Sequence, residues 1–273
     1  MPKPILVGAV IYEPKVAVIW DTIKGFFEAE GCPIDCVFYS NYELQVDALL
    51  KGHIHIAWNS PLAWVDAQRR TGARCRALAM RDTDRDRVTH IVVRKDAGLQ
   101  SLADLRSKVV ATGAKDSPQA TLIPLQLLRR HGLVGGSDFD VRRFDVLVGK
   151  HGDHIGGERD ALECMKQGKA AAACVLDLNW QLWTADGTAD PARHAILATT
   201  PRFDHCNFTV VEQFPEEQAR RWTEVLFRMS YDNPAHREMM DLEGLKAWLP
   251  GRTSGYEILT ESARDQHFFE AES

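Results

Sequence analysis

Short apolar runs and amphipathic stretches alternate over the first third of the chain. Residues 5–11 form an apolar run that predicts a buried strand, and residues 15–29 carry apolar side chains at the three- and four-residue spacing of a helix. The same pattern predicts further strands at 34–39, 53–58 and 74–80, and helices at 41–51 and 62–70. Such alternation is typical of an α/β fold in which helices flank a mostly parallel sheet.

A charged run without any apolar residue, at positions 81–87, interrupts this pattern. It is consistent with a solvated loop or with a crossover between two lobes. After it the alternation resumes, with strands predicted at 90–94, 108–112, 139–144, 170–176, 194–199 and 208–211, and helices at 101–106, 119–131, 159–167, 215–230 and 242–249. Because the C-terminal helices need a lobe to pack against, we expect a first lobe of residues 1–85 plus 205–273 and a second lobe of residues 86–204.

Composition narrows the classes of partner. The 273 residues include 33 Lys and Arg against 38 Asp and Glu, a net charge of −5, so a nucleic-acid partner is not expected. No run of about 18 apolar residues is present, and no membrane span is predicted. The six cysteines are interpreted as thiols, because their spacing matches neither a usual zinc site nor a usual redox motif.

The N-terminal apolar run bears on localisation. It ends six residues after it starts, before Tyr12, and is shorter than the apolar stretch of a secretory signal. The sequence as written therefore predicts a cytoplasmic protein. A periplasmic location is the alternative if a signal segment has been removed.

Three stretches carry a family resemblance: residues 91–111, residues 42–57, and the run from Gly156-Gly157 to Asp177. In their order and motifs, the chain resembles type II periplasmic solute-binding proteins, and among them the phosphate, phosphite and phosphonate-binding branch of ABC transporters. The resemblance implies two α/β lobes, each a mostly parallel sheet flanked by helices, joined by two crossover strands. It also implies a small polar or anionic ligand clamped in the cleft by hinge closure, a possible ABC permease as partner, and no cofactor.

The family's anion-binding loop corresponds to Ser117-Pro118-Gln119-Ala120, followed by Thr121. Unpaired N–H groups and the macrodipole make a helix N-terminus attractive to anions. The family's Ser-Thr-Ser-Gly is absent here, so the candidate donors are Ser117, Gln119 and Thr121. An ordinary capped helix with proline in its first turn is the alternative.

A second departure from the family lies after Gly156-Gly157, where Glu158 stands in place of a phosphate-binding histidine. A carboxylate there would repel an anion. Either His151 or His154 takes that role, or the ligand is not a phosphonate. These two histidines and Glu158 are also a competent metal-ligand set, but a glycine-rich loop lacks the fixed helical spacing of such sites, and no metal is expected.

Further ligand-binding candidates follow predicted strands or open helices, at the edge where α/β folds bind ligands. An alternative remains for each: packing for the tyrosines, helix capping for the serine, and a free surface carboxylate for the aspartate. These candidates are Tyr12, Tyr42, Asn59, Ser60 and Asp177.

These observations favour a binding protein over an enzyme. Motif order and the anion-loop helix indicate a solute-binding protein of the phosphonate-transporter type. The alternatives are a cytoplasmic enzyme on the same fold, such as a decarboxylase- or dehydratase-like lyase or a pyrimidine-precursor synthase, and a ligand sensor. A fold alone does not decide between them.

Overall fold

A computed structural model describes residues 3–152 and 156–270. The chain divides into two compact units. The first unit contains Met1–Arg85 and Asp204–Gly255, and the second contains Asp86–Phe203 and Tyr256–Ser273. The chain therefore passes between the units three times: after Arg85, after Phe203 and after Gly255.

Eleven strands lie in the described part of the chain. They are β1 Ile5–Val10, β2 Ile34–Tyr39, β3 Ile56–Asn59, β4 Cys75–Arg81, β5 Thr89–Arg94, β6 Val109–Thr112, β7 Asp140–Arg143, β8 Ala172–Leu176, β9 His194–Thr199, β10 Asn207–Val211 and β11 Trp248–Pro250.

Nine α-helices accompany these strands within the described ranges. They are α1 Lys15–Ala29, α2 Tyr42–Leu50, α3 Pro61–Thr71, α4 Ile123–Arg130, α5 Glu158–Lys166, α6 Asp177–Ala185, α7 Glu216–Leu226, α8 Pro234–Glu243 and α9 Glu257–Asp265. A single turn of π-helix, Pro118–Leu122, leads directly into α4.

The sheet of the first unit has the strand order β2-β1-β3-β10-β4-β11. Strand β1 is parallel to β2 and β3, while β10 runs antiparallel to both β3 and β4. The largest buried side chains of the first unit include Phe27, Phe208 and Trp222, and the Trp222 ring contacts both phenylalanine rings. Aromatic burial of this kind contributes about 2–3 kcal/mol per side chain to the stability of the unit.

The sheet of the second unit has the order β7-β6-β8-β5-β9. Strand β6 is parallel to β7 and β8, and β5 is antiparallel to β8 and β9. Because β6 and β8 are parallel neighbours, their carboxyl ends meet at one edge of the sheet. The π-helical turn and α6 begin at this edge.

The C-terminal segment differs from the sequence expectation, which assigned all of 205–273 to the first lobe. Residues from Tyr256 onward belong to the second unit, because α9 packs on α4. The Gln126 amide donates to Glu261 and to Asp265, each at 2.8 Å, and Gln266 Nε2 donates to the Leu122 carbonyl at 2.8 Å. These polar contacts attach α9 to the beginning of α4.

One local prediction was wrong, and one of the two interpretations of the charged run does not hold throughout. The helix expected at 242–249 is absent, because α8 ends at Gly244, whose φ of +74° closes the helix, and Trp248–Pro250 then pairs with β4. The charged run is not a solvated loop throughout: Asp84 is 1% exposed and paired with the Arg81 guanidinium at 2.7 Å. The boundary between the units falls within this run, between Arg85 and Asp86, which agrees with the alternative of a crossover between two lobes.

The helices also bear on membrane insertion. Over residues 3–152 and 156–270, none is both long enough and apolar enough to cross a bilayer.

Candidate functional site

The turn that follows β6 presents a helix N-terminus at the sheet edge of the second unit. Ser117 caps it, accepting a 3.2 Å hydrogen bond from Ala120 N to its Oγ, and Pro118 occupies the first position, where no N–H is needed. The N–H groups of Thr121 and Leu122 both reach the Ser117 carbonyl, which widens the first turn into a π-helix. Such turns often occur at functional sites.

Glycines allow the chain to approach this turn closely. A Cβ at Gly113 would lie 2.6 Å from both the Ala120 Cβ and the Gly156 carbonyl oxygen. Gly156 and Gly157 have φ values of +44° and +86°, and a side chain on either would meet backbone atoms. The Gly-Gly-Glu sequence therefore places Glu158 beside the turn, as the first residue of α5.

Glu158 is fully buried, at 0% exposure. Its Oε2 atom accepts a 2.8 Å hydrogen bond from Leu176 N, at the end of β8, and a 2.9 Å bond from Asn179 Nδ2. Burial raises the pKa of Glu158 to about 8, and the negative charge of Asp177 adds to the rise. Hydrogen bonds from Asn179 and Leu176, together with the nearby Gln119 side chain, offset only part of it. At neutral pH the side chain is therefore mostly a neutral acid, whose O–H donates.

This protonation corrects one sequence-based expectation. From the sequence, Glu158 was expected to be a carboxylate that repels an anion. A neutral carboxylic acid carries no such charge and can donate a hydrogen bond to an anionic oxygen. Glu158 in this position is consequently compatible with an anionic ligand.

Several buried polar atoms at this edge have no hydrogen-bond partner among the described residues. Leaving such an atom unpaired in the interior costs about 1–3 kcal/mol. Gln119, which carries one of these atoms, is otherwise held by hydrogen bonds. Its Nε2 donates to the Gly152 carbonyl at 3.1 Å, and its backbone carbonyl accepts from Thr89 Oγ1 at 2.7 Å. The unpaired atoms are Gln119 Oε1, Thr121 Oγ1, Glu158 Oε1 and Asp177 Oδ1.

Asp177 is not the free surface carboxylate that the sequence left open. It is 8% exposed, opens α6 immediately after β8, and its Oδ2 lies 3.4 Å from Arg87 Nη1. Its backbone N–H donates to the Val88 carbonyl at 2.9 Å. One acid and one ion-paired aspartate thus flank the turn from the side of β8.

Sequence reasoning missed three residues of this region: Asn179, Arg87 and Asp116. Asp116 Oδ2 accepts a 2.6 Å hydrogen bond from Gly149 N and so attaches the loop before α5 to the turn after β6. Asn179 lies in the first turn of α6, two residues after Asp177, a spacing that could have indicated it. Arg87 gave no such signal, because it lies in the charged run.

The histidine loop is described only in part. His151 is buried, with a φ of +52°. His154 lies outside the described residues, so the set of His151, His154 and Glu158 stays a prediction, both as anion donors and as metal ligands. Among the described residues, the group with metal-ligand geometry is a different one, Asp84, His205 and Cys206.

The remaining candidates lie in the first unit. Asn59 ends β3 and accepts a 2.9 Å hydrogen bond from Gln45 Nε2, while Ser60 caps α3 by accepting from Ala63 N at 3.1 Å. Tyr42 is the buried first residue of α2, and Tyr12 packs against the unit's core. The structure thus brings Ser117, Gln119, Thr121, Glu158 and Asp177 to one edge of the second unit and places these four elsewhere in the chain's first unit.

Solved structures with the same fold include several binding proteins. PhnD1 from Prochlorococcus marinus in complex with methylphosphonate has a TM-score of 0.68 and 18% identity, covering 98% of this chain and 99% of that one. XAC2383 from Xanthomonas citri bound to ATP has a TM-score of 0.72 and 15% identity, covering 100% of both chains. The aliphatic sulphonate-binding protein SsuA from Escherichia coli has a TM-score of 0.60 and 15% identity, over 99% of this chain and 88% of that one. At these identities the likeness confirms the type II periplasmic-binding-protein fold.

Sequence comparison gives the family. An uncharacterised protein of Haemophilus influenzae is 61% identical over 36 residues, which is 13% of this chain and 51% of that protein, so the chain spans about half the length of this relative. A family model described as ABC transporter, phosphonate, periplasmic substrate-binding protein matches residues 23–256, most of the chain. The chain therefore belongs to the family of periplasmic substrate-binding proteins of phosphonate ABC transporters.

Proposed function

We propose that this protein binds a small phosphonate- or phosphate-type oxyanion at the carboxyl edge of the sheet in its second unit. The observation that carries the proposal is Glu158, a fully buried side chain whose pKa is raised to about 8 by burial, beside a capped helix N-terminus. A buried neutral acid with an unpaired oxygen is costly to keep unless a ligand uses it.

The surrounding groups each contribute a different interaction with such an anion. The π-helical turn supplies the positive end of a helix dipole, and the Thr121 hydroxyl and the Glu158 acid supply donors. Arg87 supplies a positive charge next to Asp177. Together these groups offer hydrogen bonds and a favourable field without a metal.

The relatives support the same ligand class. PhnD1 was solved with methylphosphonate and XAC2383 with ATP, and both ligands carry phosphorus oxyanions. Family membership supports transport over the enzyme and sensor alternatives. We therefore also propose that the protein works in the periplasm and delivers its ligand to an ABC permease.

Isothermal titration calorimetry with methylphosphonate, inorganic phosphate and ATP tests the ligand class, with methanesulfonate as the comparison anion. We expect one-to-one binding of at least one phosphorus oxyanion. Thr121→Val keeps the shape of the side chain but removes its hydroxyl, and should weaken binding about 10- to 100-fold, the loss of one hydrogen bond to a charged group.

Thr209→Val is the matched control, since Thr209 is also buried but lies in β10 of the first unit. It should leave the affinity within about twofold of the unmodified protein. No binding of any phosphorus oxyanion, or equal effects of the two valine variants, would contradict the proposal.

A further inference from the structure

Three side chains of metal-ligating type meet in the first unit. Asp84 lies just after β4, and His205 and Cys206 lie just before β10. Their donor atoms all lie within 4.8 Å of one another. His205 Nδ1 is 3.1 Å from Cys206 Sγ and 3.6 Å from Asp84 Oδ1.

The geometry of these contacts distinguishes a ligand cluster from a proton relay. In a relay, a histidine bridges its two partners through different ring nitrogens. Here the thiol and the carboxylate both approach the same nitrogen, Nδ1 of His205. Three donor atoms that face one another in this way can share one ion, and they cannot pass a proton along a line.

The separations also suit a tetrahedral ion. With Zn–N and Zn–O bonds of about 2.0–2.1 Å and a Zn–S bond of about 2.3 Å, neighbouring ligand atoms lie about 3.3–3.6 Å apart. The two distances that involve His205 Nδ1 are close to this range. Thiolate, imidazole and carboxylate are together a donor set for zinc-class ions and not for calcium or magnesium.

The cluster is held in place before any ion arrives. Asp84 Oδ2 accepts from the backbone N–H and from Nε of Arg81 at 3.0 and 2.8 Å, and its Oδ1 accepts from Arg81 Nη2 at 2.7 Å and Cys206 N at 3.2 Å. Supporting hydrogen bonds of this kind orient metal ligands and raise affinity. The carboxylate is shared with Arg81, so the ion must be bound mainly by the sulfur and the nitrogen.

We propose that Asp84, His205 and Cys206 form a binding site for a divalent zinc-class ion, with a fourth position open. Asp84 comes from the segment by which the chain leaves the first unit, just before the boundary at Arg85–Asp86. His205 and Cys206 come from the segment by which the chain re-enters that unit, just after the boundary at Phe203–Asp204. A bound ion would cross-link these segments. The site is distinct from the His151, His154 and Glu158 set considered from the sequence.

Titration of the tag-free, chelator-stripped full chain with Co²⁺ tests this site. We expect one equivalent of Co²⁺ to produce a near-ultraviolet thiolate-to-cobalt absorption band, and one equivalent of Zn²⁺ to abolish it. Cys206→Ser should remove the band and weaken Zn²⁺ binding at least 100-fold, since even indirect supports of a metal site are worth about 10- to 100-fold.

Cys75→Ser is the matched control, because Cys75 is another buried thiol of the same unit. It should leave both the band and the stoichiometry unchanged. If Cys206→Ser fails to fold by circular dichroism, His205→Gln decides, since the His205 side chain is more exposed than that of Cys206 and glutamine keeps a polar side chain there. A missing band in the unmodified protein, or an intact band in the folded Cys206 or His205 variant, would overturn the proposal.

Discussion

Leu176 donates its backbone N–H to Oε2 of Glu158 at 2.8 Å, so the last residue of β8 holds the first residue of α5. Asn179 donates to the same oxygen, which leaves Oε1 to carry the proton of the neutral acid. Glutamine in place of Glu158 reproduces this arrangement, with the amide oxygen accepting and the amide nitrogen donating. Glu158→Gln is therefore a conservative probe of the proton.

The first prediction concerns stability. Because burial raises the pKa of Glu158 to about 8 from 4.5, the folded protein holds a proton that the unfolded chain releases between these values. The contribution of Glu158 to stability should therefore be full below about pH 4.5 and be lost as pH rises to about 8, a change on the order of a few kcal/mol. Glu158→Gln should remove that fall, so that it is the more stable protein at pH 8 in urea denaturation.

Glu163→Gln, on the exposed side of the same helix, is the control for that measurement. It should keep the pH dependence of the unmodified protein. Parallel stability curves for the Glu158→Gln and unmodified proteins between pH 5 and 8 would show that Glu158 is ionised when folded.

The second prediction concerns the pH dependence of binding. If the neutral acid donates to the anion, binding takes up the proton, and affinity should fall about tenfold per pH unit once pH exceeds the pKa of about 8. The side-chain amide of the Glu158→Gln variant donates at every pH, so the ratio of the two affinities isolates this effect from the titration of methylphosphonate itself. Calorimetry from pH 6 to 9 measures it; a constant ratio would exclude Glu158 as the donor.

The fold was predictable because its signals are local. Apolar runs and helical spacing gave β1, β2 and α1 to α3 nearly to their ends, although β3 begins three residues later than predicted. The renewed alternation gave the restart after the charged run. The C-terminal segment was not predictable in this way. Gly244 ends α8, but nothing local shows that Trp248–Pro250 pairs with β4 or that α9 docks on α4.

The sequence predicted which residues lie at the candidate site, but it did not predict the protonation state of Glu158. The motif placed Ser117, Gln119 and Glu158 together, yet Glu158 was expected to be an ionised carboxylate. Its protonation follows from complete burial and from the nearby Asp177, and burial is a property of the folded chain. Arg87 and Asp84 were also missed, because their surroundings exist only in the folded chain. Arg87 pairs with Asp177, which is distant in the sequence, and Asp84 is buried although it lies in a charged run.

The third prediction concerns the support of the π-helical turn by the C-terminal helix. Gln266 Nε2 donates to the Leu122 carbonyl, at the last residue of that turn. Gln266→Ala should cost about 1 kcal/mol of unfolding free energy and loosen the turn, so anion affinity falls severalfold. Gln167→Ala is the control, because the Gln167 amide, just after α5, donates to the Glu163 side chain one turn earlier. Equal anion affinity for the two variants in calorimetry would show that α9 does not support the site.

The last prediction concerns Gly157, which places Glu158. At a φ of +86° an added Cβ would meet the Phe144 carbonyl, so Gly157→Ala combines left-handed strain with a backbone clash and must move the start of α5. Gly187 has a similar φ of +81° but no atom within 4 Å of its virtual Cβ, so Gly187→Ala incurs only the cost of the left-handed conformation, about 1–2 kcal/mol. Gly157→Ala should therefore lose at least about 1 kcal/mol more than Gly187→Ala in urea denaturation.

The two glycine variants should also differ in the pH dependence of their stability and in their binding of methylphosphonate. Displacing Glu158 from Leu176 N admits water to the acid, so the fall in stability toward pH 8 should shrink in Gly157→Ala and persist in Gly187→Ala. Calorimetry with methylphosphonate should show lost binding in the first variant and unchanged binding in the second. If both glycine variants bind alike and keep the same pH dependence, then Gly157 does not position Glu158, and the buried acid owes its location to β8 alone.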